Sequence, residues 1–258
     1  MARHIENEVE YYYDSHSTQE DLMGETAFHR ALVSYLVEVL KWLFQGQLYA
    51  IYDNLNVYQT ADFHEYPVAP DVAIFKGIVY KPLIRSWRIG KNGPAPQVVF
   101  EIASEETWKK DLREKPSRYA SMGVQEYFAY DPHEIPLSAS RNRRLFGWRL
   151  DQDSQSMKEM QPRPDGSLWS ASLESWLVPD GTMLRLYDRN GQMRLTGMEA
   201  EAQQRQIEAG QRQIEARRAQ AEAQRADAAV QQAEDATQRA QVFAEKLRSL
   251  GIDPEQLI

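Results

Sequence analysis

Two carboxylates thirty positions apart, Asp71 and Glu101, sit at the ends of short apolar runs, and a lysine, Lys115, follows them. Asp71 comes after Pro70 and leads into Val72-Ala73-Ile74-Phe75, while Glu101 closes the run from Gln97 to Phe100 and is followed by Ile102-Ala103-Ser104. Runs of this length, rich in β-branched residues, read as buried strands. A carboxylate in such a run costs on the order of several kcal/mol, or shifts its pKa until it neutralises, unless a cation or hydrogen-bond donors compensate. Two acids side by side aggravate the cost. A shared hard cation such as Mg²⁺, which prefers oxygen ligands, is the natural compensator. The Lys115 ammonium would complete a site able to neutralise a developing negative charge.

These side chains need elements to hold them. Ser17-Thr18-Gln19-Glu20 has the spacing of a capping box. From Thr26 to Phe44, the recurrence of Leu32, Leu36, Leu40 and Leu43 or Phe44 predicts an amphipathic helix packed on a sheet. Glu25 and His29, four apart, would share a face near its start. Leu48 to Tyr58 predicts a strand broken at Asp53-Asn54, and the Asp71 strand should turn back through Gly77 to Tyr80. A Pro/Gly-rich loop from Lys91 to Pro96 then feeds the Glu101 strand. Antiparallel pairing of the two acid-bearing strands would bring both carboxylates within reach of one ion.

After Glu101 a helix is predicted up to a glycine cap at Gly123. Pro116 leaves two options, because proline disfavours helical backbone at the residue before it, Lys115. Either the helix begins at Pro116, or a longer helix kinks there. Val124 to Tyr130, Leu145 to Leu150, Met157 to Met160 and Leu184 to Tyr187 predict further strands, mostly antiparallel, separated by turns such as Asp165-Gly166, Asp180-Gly181 and Asn190-Gly191. Trp87, Trp148, Trp169 and Trp176 are expected as core or hairpin-covering aromatics. The mixture of strands and helices implies an α/β (α+β) sandwich rather than a doubly wound sheet.

With 258 residues, 42% of them hydrophobic, the chain is long enough for a full core. The absence of cysteine excludes disulfides and thiolate chemistry. The polar stretch from Met1 to Glu10 lacks the apolar region of a secretory signal, and Ala31 to Phe44, interrupted by Glu38 and Lys41, is too short to span a bilayer. A cytoplasmic protein with no membrane partner is expected. A net charge of -8 argues against general nucleic-acid affinity, which relies on Lys and Arg to displace counterions. Local clusters matter more: Lys109, Lys110, Arg113, Lys115 and Arg118 lie beside the acids in sequence, and Arg141, Arg143 and Arg144 form a second group.

Composition changes after about Thr196. Residues 199–248 hold nine acids and eight bases among Ala and Gln, and Gln204-Arg205-Gln206-Ile207-Glu208-Ala209 recurs seven positions later as Gln211 to Ala216. Continuous helix over this stretch would reach about 75 Å. The seam of Ala200, Ile207, Ile214, Ala221 and Ala228 supplies one position per heptad, so a solvated or weakly self-associating helix is expected rather than a strong zipper.

The order Pro70-Asp71, Glu101, Lys115 resembles the PD-(D/E)xK nucleases. More specifically, Ala69 to Ile74, Val99 to Ser104, Asp111 with Lys115, Tyr119, Gly123-Val124, Glu126 to Phe128 and Asp131-Pro132, together with Glu25-Thr26, His29 and Leu184 to Asp188, resemble the Uma2 family of restriction-endonuclease-like proteins. That resemblance implies a restriction-endonuclease-like domain over residues 1–195, with a mixed, largely antiparallel sheet and flanking helices. Residues 196–258 would follow as a long helix able to mediate homo-oligomer formation. It implies a DNA substrate and Mg²⁺ or Mn²⁺ held by Asp71, Glu101 and the Ile102 carbonyl, with Glu25 as an auxiliary ligand. The strict pattern places lysine two residues after the glutamate, where this chain has Ala103, so the resemblance moves the lysine role to Lys115. The simpler account of Glu25 is helix-terminus electrostatics, and of His29 a packed or surface imidazole. Two alternatives accompany the nuclease reading. One is a weak or inactive nuclease-fold binding module acting through its helical tail. The other is a metal hydrolase acting on small phosphoesters.

Overall fold

The computed structural model describes residues 27–60, 66–133, 135–137 and 143–251. The chain divides into two compact units, one ending at Met198 and the other beginning at Glu199. In the first, helix α1 (Ala27–Leu43) precedes strands β1 (Tyr49–Asp53), β2 (Asn56–Tyr58), β3 (Val72–Lys76), β4 (Ser86–Arg88) and β5 (Val98–Ile102). Helices α2 (Trp108–Arg113) and α3 (Lys115–Ser121) lead to β6 (Glu126–Tyr130), β7 (Leu145–Asp151), β8 (Ser156–Glu159), β9 (Leu168–Ser170), β10 (Ser175–Asp180) and β11 (Met183–Tyr187).

The main sheet has the order β1-β3-β5-β6-β7-β8, with every pair antiparallel except β5–β6. That exception follows from the connection: α2 and α3 form the crossover that a parallel pair requires. It is a mixed α/β fold with a largely antiparallel sheet, as the strand and helix patterns predict. Strands β3, β5 and β6 are apolar on both sides because both sheet faces are covered. Val72, Ile74, Val98, Phe100 and Phe128 face one core, filled by Leu32, Leu36 and Leu40 of α1 and by Leu177, Leu184 and Leu186 of the small β9–β10–β11 sheet. Ala73, Phe75, Val99, Tyr127 and Ala129 face the other, closed by Tyr119 and Met122 and by Val57 and Trp87 of the β2–β4 pair. Each fully buried side chain of this size contributes roughly 1.5–3 kcal/mol.

Gly77 does turn the chain, at φ 76°, but the predicted return through Tyr80 is not a strand. Pro82 offers no amide there, Val79, Tyr80 and Leu83 are exposed, and the next strand is β4, which pairs parallel with β2 in a sheet of two. The Pro/Gly-rich loop after it is shaped by Trp87. A Cβ on Gly93, whose φ is 154°, would meet the Trp87 ring at 2.6 Å, and the indole N–H donates to the Pro94 carbonyl. Trp87 and Trp148 are core residues. Trp169 and Trp176 form a cross-strand pair on β9 and β10, with Arg163 and Arg189 lying over their rings.

Helix α4 (Gly197–Ser249), 53 residues long with none buried, starts two residues before the division after Met198 and makes up the described part of the second unit almost entirely. Among the described residues no helix is long and apolar enough to cross a membrane. The predicted capping box and Glu25 lie outside the described residues.

Candidate active site

The β3–β5 ladder pairs Val72 with Phe100. One step further along this register, Asp71 stands beside Glu101 at the end of the two strands, and their charges interact. Asp71 lies just before β3 and is partly buried. Its Oδ2 accepts the backbone N–H of Ile102 at 2.6 Å, and its Oδ1 is 3.0 Å from His29 Nε2. His29 is therefore more than a packed or surface imidazole: it clamps the first acid from α1, across 42 positions of chain. The contact Ile102 makes with this acid is through its amide.

Glu101 is 4% exposed. Its Oε1 accepts the Tyr119 hydroxyl at 2.5 Å and lies 2.9 Å from Lys115 Nζ. Burial pushes its pKa up to about 7; Lys115 works against that rise, while Asp71 and Asp111 reinforce it. Burial alone would lower the Lys115 ammonium, but Glu101 and Asp111 outweigh it and hold the group above the usual lysine range. The Tyr119 hydroxyl, buried and facing Glu101, is pushed well up and remains a proton donor to the carboxylate.

Lys115 reaches this position because the helix breaks one residue before it. α2 stops at Arg113, Glu114 serves as the cap of both helices, and Lys115 and Pro116 form the first turn of α3. The kink is thus accommodated at Glu114, and proline sits where its missing N–H matters least. Asp111, four residues earlier, is 1% exposed and 2.8 Å from Lys115 Nζ. Its second oxygen accepts the Thr107 hydroxyl at 2.9 Å. Sequence reasoning noted Asp111 and Tyr119 as parts of a pattern and gave neither a function. The i,i+4 spacing of Asp111 and Lys115 was a usable signal; no local signal links Tyr119 to Glu101.

The basic clusters divide. Lys109, Lys110 and Arg113 are exposed on α2, whereas Arg143 pairs with Glu159 and covers the Phe146 ring, and Arg144 donates to the Gly181 carbonyl. Arg141 lies outside the described residues. Among the described residues no three His, Asp or Glu side chains converge as a ready-made metal cage.

The family model described as "Uma2: Putative restriction endonuclease" matches residues 3–178, more than half of the chain. The chain belongs to the Uma2 family. Glu101, Asp71 and Lys115, along with Asp111 and Tyr119, all fall within the matched Uma2 segment, and α4 lies beyond it. The crystal structure of a "putative nuclease belonging to DUF820" from Anabaena variabilis ATCC 29413 aligns with 17% identity, over 58% of this chain and 76% of that one, with a TM-score of 0.42. At that identity and score it informs neither the fold nor the site here. No curated protein matches the chain.

Proposed function

We propose that this Uma2 protein is a metal-dependent endonuclease that hydrolyses DNA phosphodiester bonds, with Asp71 and Glu101 holding Mg²⁺ or Mn²⁺. The observation that carries the reading is a buried carboxylate, Glu101, beside Asp71 and within 2.9 Å of the Lys115 ammonium. The donor set suits a hard divalent ion. Mg²⁺ is commonly held by one or two carboxylates plus water and substrate phosphate rather than by an all-protein cage. Glu101 spends Oε1 on Tyr119 and Lys115, and among the described residues the acids near it outnumber the ammonium that touches them. A cation would relieve that excess. When bound, it supplies Lewis-acid stabilisation of the phosphate and an acidified water. Lys115 offsets negative charge as it develops on the phosphate, and Tyr119 and the Ile102 amide keep the two acids oriented. The Ile102 carbonyl and Glu25 are the additional ligands of this proposal.

The test is incubation of the purified full chain with supercoiled, linear and single-stranded DNA, with Mg²⁺ or Mn²⁺ and with a chelator. Cutting should require the ion. Asp71→Ala and Glu101→Ala should each lower the rate by at least about 100-fold, and Lys115→Ala by about 100-fold. Cutting that survives both acid substitutions would sink the assignment.

A second reading, a weak or inactive nuclease-fold module acting through its tail, is favoured by one feature: α4 has 53 residues and buries none of them. Ion-independent absence of cutting, combined with self-association that disappears on removing residues 199–258, would select it.

A further inference from the structure

We infer that Asp111 is the positioning residue of the site: it holds the Lys115 ammonium against Glu101. This rests on the nuclease reading for its catalytic consequence, though not for its geometry. Asp111 is anchored on every side. Its N–H donates to the Thr107 carbonyl at 3.0 Å, its carbonyl accepts the Tyr127 hydroxyl at 2.9 Å, and its Oδ2 accepts the Thr107 hydroxyl. Thr107 is itself tied to Ser104, with the Ser104 N–H donating to the Thr107 hydroxyl and the Thr107 N–H donating to the Ser104 hydroxyl, each at 3.2 Å. Only Oδ1 is left, and it faces Lys115 Nζ at 2.8 Å.

This anchoring meets a specific need. Lys115 heads a seven-residue helix just after a break, and a lysine carries a long, freely rotating stem. Left to Glu101 alone, the ammonium would have one partner and many rotamers. Asp111 supplies a second fixed point, so Nζ sits between two carboxylates at 2.8 and 2.9 Å. Tyr127 adds a link to the sheet: it belongs to β6, directly paired with β5, and its hydroxyl fixes the backbone of Asp111. The lysine is thereby registered on the strand that carries Glu101, although it arrives from a helix. Asp111 has both oxygens committed to Lys115 and Thr107, which separates its role from that of an ion ligand.

The experiment uses the full chain and two variants. Asp111→Asn keeps the shape and one acceptor but removes the charge, and Asp111→Leu removes both oxygens. Crystal structures should show Lys115 Nζ withdrawn from Glu101 Oε1 in the leucine variant and loosened in the asparagine variant. Steady-state cutting should lose about 10–100-fold in kcat, more for leucine, with KM unchanged, while the asparagine variant keeps the melting temperature of the parent. A merely structural role would lower the melting temperature and leave kcat per folded molecule alone. That pattern, or Nζ still within hydrogen-bond range of Glu101 in the variants, would overturn the inference. Should the leucine variant fail to fold, the asparagine variant decides. Should the parent chain cut no DNA, the nuclease reading fails by itself, and the position of Nζ in the variants still decides the inference.

Discussion

Burying Glu101 places a carboxylate where its ionised form is disfavoured, and Lys115 offsets only part of that cost. The consequence is a pH-dependent stability with a definite sign. The folded-state pKa of about 7 lies above the ordinary 4.5, so across that window the folded protein keeps a proton the unfolded chain has released. Stability contributed by this group is greatest below pH 4.5 and falls as pH rises towards 7. With a chelator present, urea unfolding between pH 5 and pH 8 should show a decline on the order of 1–3 kcal/mol that Glu101→Gln removes. Equal slopes in the two proteins would mean that Glu101 is not the group responsible. Adding Mg²⁺ should flatten the parent's decline, since a cation favours the ionised carboxylate. His29 acts at the same scale: with Asp71 Oδ1 released, His29→Ala should weaken cutting about 10-fold without altering the fold, read as kcat at saturating metal.

At the scale of elements, a buried carboxylate away from the site has a purely architectural task. Glu126 of β6, 1% exposed, accepts two bonds from Arg149 of β7, the Ser170 hydroxyl of β9 and the N–H groups of Ala171 and Ser172 in the β9–β10 turn. It therefore fastens the three-stranded sheet to the main one. Glu126→Ala would leave these donors without an acceptor and should cost about 3–5 kcal/mol in denaturant unfolding. A loss under about 1 kcal/mol would show that the donors find other partners. Close packing adds to this join at Gly147, where a Cβ would meet Leu168 Cδ1 at 2.7 Å and Phe128 Cδ1 at 2.9 Å. Gly147→Ala should accordingly destabilise by about 1–3 kcal/mol.

For the whole molecule, α4 buries no side chain, and among the described residues none beyond Met198 belongs to either core. A protein truncated after Met198 should melt within a few degrees of the full chain and retain whatever cutting the full chain has. Far-UV circular dichroism should lose helical signal in proportion to the part of α4 that follows Met198. Propensity favours this helix through its alanines and its Glu201–Arg205 and Glu208–Arg212 pairs, each worth a few tenths of a kcal/mol. Sedimentation of the full chain against the truncated one tests whether Ile207, Ile214, Val230 and Phe243, all exposed, bring copies together.

Local periodicity settled much at the level of elements. Strands β3, β5 and β6 announced themselves as apolar runs because both sheet faces are covered, and α4 by composition and a seven-residue repeat that needs no tertiary partner. Asp71 and Glu101 stood out for the same reason, since an acid in an apolar run must meet something. What they meet was decided in three dimensions. The direction of Lys115 depended on where the helix would break around Pro116, which residue propensities left open and the fit of Asp111 and Tyr127 fixed at Glu114. The His29–Asp71 contact and the Tyr119–Glu101 bond join residues 42 and 18 positions apart, and the Glu126 network spans up to 46. Such contacts leave no periodic trace, because they arise only when separately legible elements pack and each buried polar group must find a partner among those brought near.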